Sequence, residues 1–222
     1  MGALNSYEGG SRQAETLARS AQQDRDKPGV SSQCSRDGRM KASSKKDLPV
    51  SQIRRFLEPG PIVLVSSAWR GQTNIMTMGW HTVMDFEPSR IGCYIWDQNH
   101  SFGLIKASKQ CAINIPTYGL INEAIGIGNC CGANVDKFAK FALTPMPAQR
   151  IDAPLIKECY ANFECRLVEF LARYSFFVFE VVKAHVATAP KYPKTFHYRG
   201  DGVFMVSGRN VSFRSLMKSQ NL

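Results

Sequence analysis

The chain has no run of about 18 or more consecutive apolar residues, so no transmembrane helix is expected. Its N-terminus shows no apolar core followed by a small-residue cleavage site, which argues against a secretory signal. The same region is too poor in helically spaced hydrophobics to make an organelle-targeting helix. No CxxC pair occurs. The seven cysteines are Cys34, Cys93, Cys111, Cys130, Cys131, Cys159 and Cys165, an odd number without the spacing of a disulfide framework. Reduced thiols in a cytoplasmic protein are the simpler expectation. The adjacent pair Cys130-Cys131 has no histidine at ligand spacing, so no structural zinc site is expected. There is no GxSxG elbow, and neither His185 nor His197 has a carboxylate or serine at a telling distance, so a Ser-His-Asp hydrolase is unsupported. His81 and His100 carry nothing that marks a haem ligand. No GxGxxG opens a helix; "GIGNCCG" at 126–132 closes one, a poor dinucleotide fingerprint.

What is present is a formal net charge of +10 on 222 residues, with 44% hydrophobic residues. The basic residues are scattered rather than striped. No basic helix or aromatic-basic motif accompanies them, so nucleic-acid binding is not expected. A basic pocket for a phosphorylated small molecule uses the same bias. Residues 1–46 are rich in Ser, Gly, Gln, Arg, Lys and Asp and poor in aromatics. Such a segment buries too little apolar surface to offset chain entropy, which predicts a disordered basic tail followed by one domain over 47–222.

The domain reads as follows. "SQIRRFL" (51–57) predicts a short helix, stopped by Glu58-Pro59-Gly60-Pro61. Strands are expected at 62–68, 73–84, 90–96, 111–115, 160–172, 175–188 and 202–208, with a turn at 70–72. Helices are expected at 101–109, capped by Asn99 or Ser101, at 119–128 and at 135–143. There is no internal repeat. Strands, then small helices between strands, then strands again fit a closed antiparallel barrel with short helices, not a doubly wound parallel sheet.

Three stretches carry chemistry. In "NIMTMGWHTVMDFEP" (74–88), strand periodicity puts Ile75, Thr77, Gly79 and His81 on one face and Asn74, Met76, Met78 and Trp80 on the other. Gly79 permits close approach to the backbone and the methionines pack adaptably. A core strand of unusual composition and a ligand-lining strand both remain open. In "QNHSFGLI" (98–105), polar residues meet a helix N-terminus, which suits an anion; simple capping is the alternative. In "NVDKFAKF" (134–141), Asp136 suits the helix start, and Lys137 and Lys140 flank Phe138 and Phe141, as they would on an ordinary amphipathic helix.

The motifs "GPIVLVSS", "NIMTMGWHTVMDFEPSRIGCYIWDQNHSF", "CAINIPT", "GIGNCCGANVDKFAKF", "APLIKECYANFECRLVE" and "HYRGDGVFMVSGR" resemble, in order, those of the flavin reductase-like family, most nearly its flavoredoxin-type members. The resemblance covers roughly residues 48–209. It implies a mainly β fold: an FMN-binding split β-barrel, antiparallel and Greek-key-like, with short peripheral helices, working as a homodimer. It implies flavin contacts at Asn74, Ile75, Met76, Thr77 and Met78, and a phosphate cradle along Trp96, Asn99, His100, Ser101 and Phe102. Asp136 and Lys137 match the family's "DKF", where the lysine would approach the flavin or its phosphate. The implied activity is hydride transfer from NADH or NADPH to FMN, with electrons passing to free flavin or an acceptor protein. The alternative is a flavin-binding electron carrier or sensor without NAD(P)H turnover. Two departures stand out: an arginine is common in relatives near Asn99-His100, and a serine is common at Cys131.

Overall fold

The computed structural model describes residues 60–190 and 192–217. The expected tail at 1–46, the helix at 51–57 and the last five residues lie outside them.

The chain opens with a hairpin of β1 (Val63–Trp69) and β2 (Gln72–Met78), paired from Val63↔Met78 to Trp69↔Gln72. Its two-residue turn has positive φ at both Arg70 (48°) and Gly71 (78°). That handedness matches the twist of the flanking strands, and glycine adopts it without steric cost.

The strand expected over 73–84 is two strands. The chain breaks at Gly79-Trp80, and β3 (His81–Phe86) then pairs with β4 (Ser89–Tyr94). The seven-stranded sheet continues through β5 (Gln110–Ile115), and two short strands, β6 (Pro145–Met146) and β7 (Leu155–Ile156), form a separate ladder. The long β8 (Ala161–Leu171) and β9 (Phe176–Val186) complete the main sheet, in the order β2-β1-β5-β8-β9-β4-β3. Every pairing in it is antiparallel. Its two edge strands, β2 and β3, are joined by only two residues. The sheet must therefore curl until its opposite edges meet at Gly79-Trp80, which makes it a barrel split along that seam. A last hairpin, β10 (Phe196–Gly200) with β11 (Val203–Val206), stands apart as its own sheet. Its first strand was not expected from sequence. Phe196 anchors it, fully buried, and its carbonyl accepts from the Ile62 N–H at 2.9 Å.

Among the described residues, three α-helices decorate the barrel. They are α1 (His100–Ser108), α2 (Ile121–Gly128) and α3 (Lys137–Lys140). The expected helix at 135–143 is thus a single turn. The N-cap of α1 is Asn99, whose side chain accepts from the Ser101 N–H at 2.9 Å. No helix among the described residues is long and apolar enough to cross a membrane.

Alternation along β1 and β2 divides the core in two. Val63, Val65, Met76 and Met78 point into the barrel with Ile113, Phe177 and Phe179. Leu64 and Ile75 point outward, under α2 and α3, with Ile127, Phe138 and Phe196. A strand covered on both faces needs apolar residues at successive positions, and each fully buried Phe, Ile or Val side chain contributes about 1.5–3 kcal/mol. This accounts for the composition of β2: its methionines fill the barrel, while Thr77 donates its hydroxyl to the Ala124 carbonyl of α2 at 2.6 Å.

Sequence proximity gave His185 no acidic neighbour; the sheet supplies one. Glu164, across the β8–β9 ladder, lies 2.7 Å from His185 Nε2 and accepts also from the Gln149 and Arg150 N–H groups.

Candidate functional site

Adjoining cavities run along β2 and share walls. One, of about 320 Å³, is lined by Asn74, Trp96, Asn99, His100, Cys130, Cys131 and Lys137 among others. A second, about 400 Å³, continues past His100 and Gly132 to Asp136 and Thr73. In the other direction the groove forks around Gly79-Trp80. One branch, about 250 Å³, lies between Met76–Trp80, Tyr94 and Trp96. The other, about 390 Å³, is walled by Ile62, Thr77, Ala124, Tyr198 and Phe204.

The end of the groove beside α1 combines buried polar side chains with a helix N-terminus. Asn74 and Ser101 are both buried, and the Asn74 Nδ2 donates to the Ser101 Oγ at 2.8 Å. That leaves the Ser101 hydroxyl proton free to donate. The Asn74 Oδ1 is buried without a partner. Free N–H groups and the helix dipole add partial positive charge, and no acidic residue lies in the first turn to cancel it.

Lys137 forms part of the floor. It is 5% exposed, and its Nζ donates to the Ile75 and Ile127 carbonyls, each at 2.9 Å. It therefore pins β2 to the last turn of α2. Burial lowers its pKa below the usual 10.5; the Cys130 and Cys131 sulfurs act in the opposite sense, and Lys140 adds to the lowering. Two of its three donors are committed to carbonyls. Asp136 caps α3, accepting from the Ala139 N–H at 3.2 Å, which fixes the backbone on which Lys137 sits.

The opposite end is aromatic and apolar. Trp80 and Tyr94 pack with ring centroids 5.1 Å apart, and both border the branch that Trp96 closes. The other branch lies under the β10–β11 hairpin, where Tyr198 and Phe204 meet at 5.0 Å.

Nine of the twelve residues singled out from sequence line these cavities: Asn74, Met76, Thr77, Met78, Trp96, Asn99, His100, Asp136 and Lys137. Ser101 is buried beside them and is bonded to Asn74 through its hydroxyl oxygen. The side chains of the remaining two go elsewhere. Phe102 packs edge-on against Phe170 and Phe177 in the barrel, and Ile75 is buried in the outer cluster, offering only its carbonyl to Lys137. Sequence reasoning missed Trp80, Tyr94, Tyr198, Phe204 and the segment 128–132. The signal for Trp80 was its place on the same strand face as Asn74, Met76 and Met78. Tyr198 and Phe204 come from a hairpin far along the chain.

Comparison with known proteins agrees with this architecture. A protein from Archaeoglobus fulgidus, itself uncharacterized, is 32% identical over 120 residues, which span 54% of this chain and 67% of that one. The flavoredoxin of Desulfovibrio vulgaris (Miyazaki F) superposes with a TM-score of 0.66 at 21% identity, covering 81% of this chain and all of that one. An FMN-binding domain of a flavin reductases-like enzyme from Shewanella baltica OS155 superposes with a TM-score of 0.64 at 24% identity, over 74% and 95% of the two chains. These neighbours share the split-barrel fold. The model of the flavin reductase like domain matches residues 54–203, and the chain belongs to that family.

Proposed function

We propose that the chain binds FMN in the groove along β2 and acts as an oxidoreductase that takes hydride from NADH or NADPH and passes electrons to free flavin or an acceptor protein. The observation that carries this reading is the polarity of the groove. One end holds a helix N-terminus without an acidic residue in its first turn, the Ser101 hydroxyl and the Lys137 ammonium; the other holds aromatic and apolar walls. A flavin mononucleotide has the same polarity, a phosphate at one end and a planar ring at the other.

The residues fit the group. The Ser101 hydroxyl, His100 and the first turn of α1 would hold the phosphate. Lys137 supplies positive charge at the floor while keeping β2 and α2 in place. Met76, Met78 and the Trp80–Tyr94 pair would border the ring and exclude water from it. Bound FMN supplies the redox chemistry; the protein supplies binding, orientation and electrostatics.

We further propose a homodimer in the cytoplasm. The edge strand β3 exposes Val83, Met84 and Phe86, with Phe86 91% exposed. Isolated surface hydrophobics are ordinary, but a row on an unpaired edge is a surface that proteins usually cover. The six described cysteines are unpaired, which suits a reducing compartment.

The test is a visible absorption spectrum of the purified chain after FMN addition and desalting, followed by NADH and NADPH oxidation. Retained flavin with turnover of either nucleotide supports the reading. Retained flavin without turnover makes the chain an electron carrier. A colourless protein with no turnover overturns it.

A further inference from the structure

We propose that Cys130 and Cys131 form a peroxide-oxidisable dithiol in the wall of the groove, and that joining them as a vicinal disulfide weakens ligand binding at the anion end. The inference rests on the FMN reading for its ligand, but not for its thiol chemistry.

The two sulfurs are set apart from the other described thiols. Cys93, Cys111, Cys159 and Cys165 are buried. Burial pushes the Cys93 and Cys111 thiols well up, and the Cys159 thiol up to about 12. Cys131 is exposed and Cys130 half-buried, and both line the groove. Lys137 lines the same cavity and is held in place by two backbone carbonyls, so a fixed cation shares the groove with the pair. A dissolved oxidant reaches groove-lining thiols before buried ones.

The next residue links this pair to the ligand site. Gly132 lies so close to Asn74 that a Cβ on it would overlap the Asn74 carboxamide. Asn74 lines the same cavity, and its Nδ2 holds the buried Ser101 hydroxyl oxygen at the start of α1. A backbone change at 130–132 therefore displaces Asn74, and with it the support of Ser101.

The chemistry balances with a low-molecular-mass hydroperoxide as oxidant. The Cys131 sulfur attacks the peroxide; an S–O bond forms, the O–O bond breaks, and water or an alcohol leaves. Cys130 then attacks the sulfenic sulfur; an S–S bond forms, the S–O bond breaks, and a water leaves. The two thiol protons end in the departing molecules. The sulfur pair loses two electrons and the peroxide gains them. Adjacent Cα atoms are about 3.8 Å apart, below the usual disulfide range. The bond is therefore strained, and strained, exposed disulfides are the readily reduced ones.

The experiment treats the reduced, full-length chain with hydrogen peroxide and reads the mass of the peptide containing both cysteines, alongside FMN affinity by fluorescence quenching. Loss of two hydrogens from that peptide, an FMN affinity lowered by about tenfold or more, and recovery of both with dithiothreitol are expected. Cys130→Ser should stop at a dimedone-reactive Cys131, and in Cys131→Ser peroxide should leave the affinity where it started. An unoxidised pair, or a disulfide that leaves FMN affinity unchanged, overturns the proposal. If the reduced chain binds no FMN, the flavin reading and the coupling both fall, while the peptide mass still decides the thiol chemistry by itself.

Discussion

Asn74 on β2 and Ser101 in the first turn of α1, 27 residues apart in the chain, share a buried hydrogen bond of 2.8 Å. It fastens the strand that floors the groove to the helix that ends it. Ser101→Ala would leave the Asn74 N–H group buried without an acceptor, which costs about 1–3 kcal/mol. Asn74→Ala removes the donor as well as the lone Oδ1, so the double variant should be less destabilised than the two single losses added together. Denaturant unfolding of the four proteins checks this. Strictly additive losses would mean that the bond does not hold the two elements together.

Gly132→Ala places a methyl group against the Asn74 carboxamide. We expect it to weaken FMN binding by about tenfold or more, and Asn74→Ala to recover part of the stability that Gly132→Ala loses. Gly103 is the control. A Cβ there meets nothing within 4 Å, and alanine in a helix interior is favoured over glycine by about 1 kcal/mol. Gly103→Ala should thus raise the melting temperature.

The Lys137 ammonium is buried, and burial lowers its folded pKa below 10.5. Between the folded value and the unfolded one, the unfolded chain binds more protons, so stability rises with pH across that window. Lys137→Met should flatten this alkaline rise. At neutral pH it should cost about 2 kcal/mol, because two carbonyls lose a charged donor. Unfolding curves from neutral pH to above the ordinary lysine range provide the check; an unchanged slope would remove Lys137 from this role.

Glu164 behaves in the opposite sense. Burial alone would raise its pKa, but His185 and the Gln149 and Arg150 N–H groups outweigh burial and hold it below 4.5. A depressed folded value contributes stability above the unfolded pKa, lost as pH falls through the folded one. Glu164→Gln should therefore lower the melting temperature near neutrality and matter progressively less in acid. A loss that is independent of pH would contradict the geometry at the β8–β9 ladder.

Much of the barrel is legible in the sequence because its strands announce themselves. β1, β5, β8 and β9 are β-rich runs bounded by turn residues, and the family motifs order them. The break at Gly79-Trp80 is not legible, since 73–84 keeps strand-like composition throughout; only the closing of the sheet on itself demands a corner there. The helix expected over 135–143 shrinks to one turn because Lys137 and Phe138 are drawn inward, one to the carbonyls of Ile75 and Ile127 and the other into the outer core. The polar end was readable from "NHS", whose polar groups meet a helix start, and Asn74 entered through the family motif. The apolar end was not, because Tyr94, Tyr198 and Phe204 arrive from separate strands and share no local pattern.

The most direct measurement is a paired titration of the full chain with FMN and with riboflavin, which lacks the phosphate. If Asn74, Ser101 and the start of α1 receive the phosphate, FMN should bind tighter by about tenfold or more, and the difference should shrink when Ser101 is replaced by alanine. Equal affinities for the two flavins, or no binding of either, would contradict the account.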